Sequence, residues 1–244
     1  MSERIQKILR DSGVGSRRTV EQLIMENRIT INGNLAKLGD KISCEDTVKI
    51  DGKVIVIAPL EEKIYLLLNK PRRIITSTVD PEGRLTVIDI IPLELQSKHL
   101  IPVGRLDYLS SGLIILTNDT SLMNELVGPK SNLEKEYVVT VRGKLTNKEL
   151  LPIKRGLRLD DVSYRPAVAT ILSHDNQVTR LSIIIKEGKN HEIRNMMKAL
   201  GKEVLALERV RIGHLEDRNL KQGQFKYIKT YDINKLRRDS KSEV

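Results

Sequence analysis

The sequence predicts an α+β fold in which a small helix–helix–hairpin module precedes a larger domain built on a mixed, mainly antiparallel β-sheet with few helices. Three observations predict it. Strand-length apolar runs follow one another closely from residue 64 onward, among them IYLLLN, GLIILT, EYVVTV and VTRLSIII. Most connections between them are too short for the crossover helices of a parallel sheet. The residues before them combine helical spacing with two hairpin turns, Asn32-Gly33 and Asp51-Gly52.

Each element has a local reason. In residues 4–12, Ile5, Ile8 and Leu9 share one helical face and Gly13 offers a stop. Ser16 can cap a second helix, in which Val20, Leu23 and Ile24 repeat the spacing before an end near Asn27. RITINGNLA and TVKIDGKVIV then read as strand pairs about their turns. The module is expected to span 1–58, followed by a linker at 59–63 and a domain at 64–232. Within that domain, strands are expected in IYLLLN, IITST, HLIPV, GLIILT, EYVVTV, AVATIL, VTRLSIII and EVLALERV, and helices at 121–127, 146–154 and 190–200. Residues 233–244, which carry Lys235, Arg237, Arg238 and Lys241, read as a solvated basic tail.

Composition narrows the function. A net charge of +10, from 42 basic and 32 acidic side chains, favours a polyanionic partner, since each neutralised phosphate releases counterions. With one Phe and no Trp, the composition argues against a platform of stacked aromatics as the means of recognition. The apolar runs fall far short of the roughly 20 residues that span a bilayer. The opening MSERIQKILR is charged from its third residue and has no signal core, so a cytoplasmic protein without a membrane partner is expected. Cys44 is the only cysteine, which excludes an internal disulfide and a thiolate-rich metal site. His99, His174, His191 and His214 are scattered, and the pair His191-Glu192 lacks the second histidine of a zinc helix, because Asn195 stands there. No metal is expected.

Two groups of basic residues suit phosphate. Arg17 and Arg18 open the second helix, where the macrodipole disfavours positive charge. A phosphate bound by the free N–H groups and two guanidiniums would compensate; solvation beside Glu21 is the plainer reading. LLLNKPRRIITSTVDPEGR places Lys70, Arg72, Arg73 and Arg84 around two prolines, either a phosphate-binding loop or a solvated one.

The stretch VGRLDYLSSGLIILTND sets Asp107 at the mouth of a buried strand. It can cap its own turn through the N–H of Leu109 or Ser110, or it can be a reagent. KEGKNHEIRNMMKALG supplies a possible partner. Ile193, Met196, Met197 and Leu200 form a core stripe, and Arg194, about 100° from Ile193, lies at its edge. At an effective dielectric of about 20, unit charges about 4 Å apart attract by about 4 kcal/mol, enough to keep a partly dry aspartate ionised. Otherwise Arg194 is an ordinary snorkelling arginine. In EKEYVVTV, Tyr137, Val139 and Val141 share a face, so Tyr137 is either a core tyrosine or a ring for a flat ligand to stack on.

Taken in order, RIQKILRDSGVGSRRTVEQLI, ITINGNLAKLGD, LNKP, DPEGRLTV, VGRLDYLSSGLIILTND, EKEY and EGKNHEIRNMM resemble the pseudouridine synthases of the RsuA/RluB branch over nearly the whole chain. The resemblance implies an alpha-L type RNA-binding domain over 1–58 and a pseudouridine synthase domain over 64–232. It implies that Asp107 is the essential aspartate, Tyr137 the base-stacking tyrosine, Arg194 the aspartate's basic partner and Ile193 the apolar residue beneath the site. Arg105 matches the arginine that helps hold the RNA helix open after the target base leaves. Phosphate contacts are expected from Arg17, Arg18, Lys70, Arg72, Arg84 and Arg105. Arg73 and Thr120 stand where the branch usually has glycine, and Ser110 where threonine is common.

The implied reaction detaches uracil N1 from ribose C1′, rotates the base and rejoins it through C5, with no net redox change and hence no cofactor. Asp107 can act as nucleophile or as base, and extruding the target costs a few kcal/mol. The expected partner is ribosomal RNA or an assembly particle, met by a monomer. MSERIQKILR, NLAKLGD and GLRLDD are most similar to the large-subunit members, favouring 23S over 16S rRNA. Two other readings are a noncatalytic ribosome-assembly factor, against which Asp107, Tyr137 and Arg194 count, and a two-carboxylate glycosidase, for which Asp107 lacks an acidic partner.

Overall fold

A computed structural model describes residues 2–43, 45–57, 62–175 and 177–241. Cys44 and most of the expected linker lie outside them. The chain divides into two compact units, Met1–Glu62 and Lys63–Val244.

In the first unit, β1 (Glu3–Arg4) leads into α1 (Ile5–Asp11) and α2 (Arg17–Met25), followed by β2 (Ile29–Ile31), β3 (Asn34–Leu35), β4 (Lys41–Ile42), β5 (Val48–Ile50) and β6 (Lys53–Ile55). The sheet runs β3-β2-β5-β6, and β1 pairs with β4. Ile5, Leu9, Val20, Ile24, Ile29, Ile42 and Val48 form its core. The Ser16 hydroxyl caps α2 by accepting the Thr19 N–H at 3.1 Å. Both hairpin turns put two residues in the left-handed region, Asn32 (φ 50°) with Gly33 and Asp51 (φ 49°) with Gly52. These are the pairs a tight primed turn demands.

The second unit contains β7 (Tyr65–Lys70), α3 (Leu93–Gln96), β8 (Ile101–Val103), β9 (Ser111–Thr117), α4 (Thr120–Val127), β10 (Lys135–Arg142), α5 (Leu151–Arg155), β11 (Leu157–Leu159), β12 (Val162–Tyr164), β13 (Val168–His174), β14 (Val178–Ile185), α6 (Glu192–Ala199), β15 (Val204–Ile212), β16 (Leu215–Glu216), β17 (Phe225–Tyr227) and α7 (Thr230–Asp239). Nine strands make one sheet in the order β13-β14-β10-β15-β9-β7-β17, with β16 on β15 and β8 on β9. Every pairing in it is antiparallel except β15 with β9. β11 and β12 form a separate hairpin.

Helices on both faces explain the uninterrupted apolar runs. Leu66, Leu68, Ile114 and Leu116 join a core with Val139, Val141, Ile183 and the α6 residues Ile193, Met196 and Met197. Leu67, Leu113 and Ile115 point the other way, against Leu122 and Leu126 of α4 and Ile233 and Leu236 of α7. The parallel junction depends on Gly112 (φ +109°), where an added Cβ would lie 2.2 Å from the Arg209 carbonyl oxygen. Only glycine lets the two backbones come so close.

Three local expectations need correction. IITST forms no strand, only an isolated bridge between Ile75 and Thr86, because the segment folds onto the Asp107 loop instead of pairing along its length. The helix expected at 146–154 is confined to Leu151–Arg155. The supposed basic tail from residue 233 is largely α7, whose Ile233 and Leu236 are buried while Arg237 is drawn into an ion cluster. Its two apolar residues at helical spacing complete the core beneath β9, which charge content alone concealed.

Candidate active site

Asp107 lies in the connection between β8 and β9, which turns at Gly104 (φ 78°). The segment after β7 holds it from both sides: the Thr76 hydroxyl donates to the Leu106 carbonyl at 2.7 Å, and the Arg73 N–H donates to the Tyr108 carbonyl at 2.6 Å. Arg73 makes that bond from φ 63°, a conformation in which glycine would be unstrained. The turn is closed by main chain, with the Ser110 N–H donating to the Asp107 carbonyl at 2.9 Å. The side chain is therefore not used up as a cap.

Instead the carboxylate, 34% exposed, faces α6 and the residue preceding it. Arg194 Nε lies 3.6 Å from Asp107 Oδ2, and His191 Nδ1 lies 3.2 Å from the same oxygen. Arg194 Nη2 also donates to the Ser110 hydroxyl at 3.4 Å. Beside the carboxylate is a cavity of about 80 Å³ whose lining includes Arg105, Tyr137, Glu192 and Ile193. Tyr137 and Ile193 are buried. Behind the tyrosine, the Arg209 guanidinium stands 6.0 Å from the ring centre, its Nε donating to the Leu113 carbonyl at 2.7 Å. Asp107, Tyr137, Ile193 and Arg105 thus line one cleft, and Arg194 reaches it through Asp107.

The expected phosphate contacts divide. Arg72 and Arg105 are exposed in the second unit, and Arg17 and Arg18 are exposed at the start of α2 in the first. Arg84 is also exposed but already bound: its Nε and Nη2 donate to the two Asp80 oxygens at 2.9 and 2.8 Å, and Nη1 lies 2.9 Å from Glu82 Oε2. Lys70 is corrected outright. It is 0% exposed, with Nζ donating to the carbonyls of Pro71 and Ile74, both at 2.9 Å. Burial pushes its pKa down to about 8, against the opposing pull of Asp107. Because β7 points it inward, it stiffens the loop beneath the site and offers nothing to a backbone phosphate.

In the sequence, His191 and Glu192 stand out only as candidate metal ligands, and Arg209 has no evident role. Among the described residues no cluster of His, Cys, Asp and Glu could hold a metal ion. Glu192 is buried, and burial, reinforced by the charge of Glu187, pushes its pKa up to about 7.

Comparison with known proteins is consistent with this cleft. Residues 64–199 match the family model described as RNA pseudouridylate synthase. The chain belongs to the RNA pseudouridine synthase family. Residues 3–48 of this pseudouridine synthase match an S4 domain. It is 38% identical over 239 residues to the ribosomal large subunit pseudouridine synthase B of Bacillus subtilis (strain 168), covering 96% of each chain. It is 36% identical to an uncharacterized RNA pseudouridine synthase of Aquifex aeolicus (strain VF5), covering 97% of this chain and 94% of that one. A crystal structure of a pseudouridylate synthase superposes with a TM-score of 0.68 at 28% identity, covering 96% of this chain and 99% of the other. The enzyme acts on RNA, and among its described residues no helix is long and apolar enough to cross a membrane.

Proposed function

We propose that this pseudouridine synthase isomerises a uridine of large-subunit ribosomal RNA, with Asp107 as its reacting carboxylate. The carrying observation is the asymmetry of that carboxylate: the Arg194 guanidinium and the His191 imidazole both lie against Oδ2, and Oδ1 has no partner among the described residues. A target nucleoside extruded from the RNA would set its base against Tyr137 and Ile193 and its ribose against Asp107. The N1–C1′ bond breaks, the base turns, and C5 bonds to C1′. The C5 proton leaves to solvent and N1 takes up a proton, so nothing is oxidised and no cofactor is called for. Asp107 serves either as nucleophile or as base toward the ribose 2′ proton.

Arg105 at the cleft and the exposed Arg72, with Arg17 and Arg18 of the S4 unit, supply phosphate contacts that offset the cost of extrusion. The names of the Bacillus and related enzymes support ribosomal RNA of the large subunit as substrate. Action as a cytoplasmic monomer completes the reading. The test is to map pseudouridines in both 23S and 16S rRNA from a deletion strain supplied with the wild-type or the Asp107→Ala gene. One 23S site restored by wild type alone is expected; restoration by Asp107→Ala, or only in 16S rRNA, defeats the corresponding part.

A further inference from the structure

We propose that His191 is a positioning residue for the isomerisation: together with Arg194 it anchors Asp107 Oδ2, and thereby makes Oδ1 the oxygen presented to the ribose. The inference rests on the assignment of Asp107 above, and three features of the structure carry it.

First, the contacts are one-sided. His191 Nδ1 and Arg194 Nε approach the same oxygen, at 3.2 and 3.6 Å. With an imidazole and a guanidinium nitrogen both beside Oδ2, that oxygen is hemmed in and rotation of the carboxylate is restricted. The base or nucleophile is then one defined atom. Such contacts tighten when a substrate closes the site.

Second, His191 is held in a conformation uncommon for any residue with a side chain. It has φ 51° and ψ 27°, left-handed, at the position immediately before α6. Glycine would adopt that backbone without cost, and a non-glycine residue stays there where its surroundings hold it.

Third, those surroundings are visible and independent of Asp107. The Lys189 N–H donates to Glu192 Oε2 at 2.9 Å, and the Arg165 N–H to Glu187 Oε1 at 2.7 Å. Lys189 Nζ donates to the Ser163 carbonyl, and Asn195 Nδ2 donates to the Asn190 carbonyl at 3.2 Å. The connection from β14 to α6 is thus tied to α6 behind it and to β12 and the residue after it. His191 is delivered to the carboxylate by a braced loop.

Backbone and side chain are separated by two substitutions. His191→Gly keeps the left-handed conformation and deletes the imidazole. His191→Asn tolerates the same conformation, and its Nδ2, bonded to Cγ as Nδ1 is in histidine, restores a donor in the same place. Single-turnover rates on an rRNA fragment and the Kd for that fragment are measured for both, with Asp107→Asn alongside. His191→Gly is expected to slow the chemical step about 10- to 100-fold with Kd changed by less than about twofold. His191→Asn should recover most of the lost rate. A His191→Gly enzyme as fast as wild type, an Asn variant as slow as the Gly variant, or a rate loss matched by a loss of affinity each overturns the proposal. An active Asp107→Asn enzyme would instead overturn the assignment of the reacting carboxylate.

Discussion

Asp107 precedes β9 and Asp119 follows it, so one buried strand carries an aspartate at each end. The Asp119 side chain is 1% exposed and both its oxygens are occupied. Oδ1 accepts the N–H groups of Ser121 and Leu122 at 3.1 and 3.3 Å, capping α4. Oδ2 receives Lys63 Nζ, the Tyr65 hydroxyl and Arg237 Nη2, at 3.1, 3.0 and 3.0 Å. This carboxylate joins β7, α4 and α7 and has no capacity left for a substrate. Asp107 is a third exposed and engaged through one oxygen only. Full satisfaction makes a carboxylate part of the architecture, whereas partial satisfaction beside a cavity and a strained neighbour leaves it available for chemistry.

The contrast is sharpest in paired variants. Asp107→Asn should reduce tritium release from 5-tritiated uridine RNA by at least about 10³-fold, which is about 4 kcal/mol in the barrier, with RNA affinity and melting temperature little changed. Asp119→Asn should do the reverse. Removing the buried charge that receives Lys63, Tyr65 and Arg237, the last of which then keeps only Glu125, is expected to cost about 1–3 kcal/mol in urea unfolding, while the folded fraction keeps its turnover. Equal losses of activity in both variants, measured where both are folded, would erase the distinction.

Acid titration sharpens it further. Burial alone would raise the Asp119 pKa, but the bonds from Lys63 and the Leu122 amide, and the charge of Lys63, outweigh it and hold the group below the usual carboxylate range. Its folded pKa is thus below its unfolded one, so its stabilisation is present above about pH 4 and is lost as pH falls through the folded value. Asp119→Asn should flatten the acid limb of stability against pH. Glu192 has the opposite sign. With a folded pKa pushed up to about 7 by burial and by Glu187, the stability it contributes is complete below its unfolded pKa and lost as pH rises through about 7. Glu192→Gln should therefore gain on wild type between pH 5 and pH 8, by on the order of 1–3 kcal/mol. A gap in thermal melting that stays constant across that range would refute the shift.

The smallest effects concern the arginines, which divide as the aspartates do. Arg17→Ala combined with Arg18→Ala should lower the slope of log K against log salt by about 1.5–2. Arg84→Ala, which removes a guanidinium already neutralised by Asp80 and Glu82, should leave the slope unchanged. A reduced slope for Arg84→Ala would return that residue to the RNA interface.

Much of this was legible before any coordinates. The Asn32-Gly33 and Asp51-Gly52 turns, the Ser16 cap and the α6 stripe are local, and each follows from the residues within one turn or pair of strands. The adjacency of Asp107 and Arg194, 87 positions apart, was reached through resemblance and charge complementarity, since no periodicity joins residues so distant. Lys70 looked like a surface cation because lysine usually is one. Its burial depends on how the loop after β7 closes over it. His191 escaped notice because a left-handed residue before a helix has no compositional mark unless it is glycine.

By itself the sequence determined the succession of strands and helices, the positive charge that suits RNA, and the chemical kinds of residue available for catalysis. All of these depend on near neighbours and on totals. Tertiary structure decided which carboxylate is saturated and which is half free, which cations reach solvent, and that residues 230–239 close the core. Those outcomes depend on distances between side chains far apart in the chain, and electrostatics and desolvation turn on differences of an ångström or two that no pattern of letters encodes.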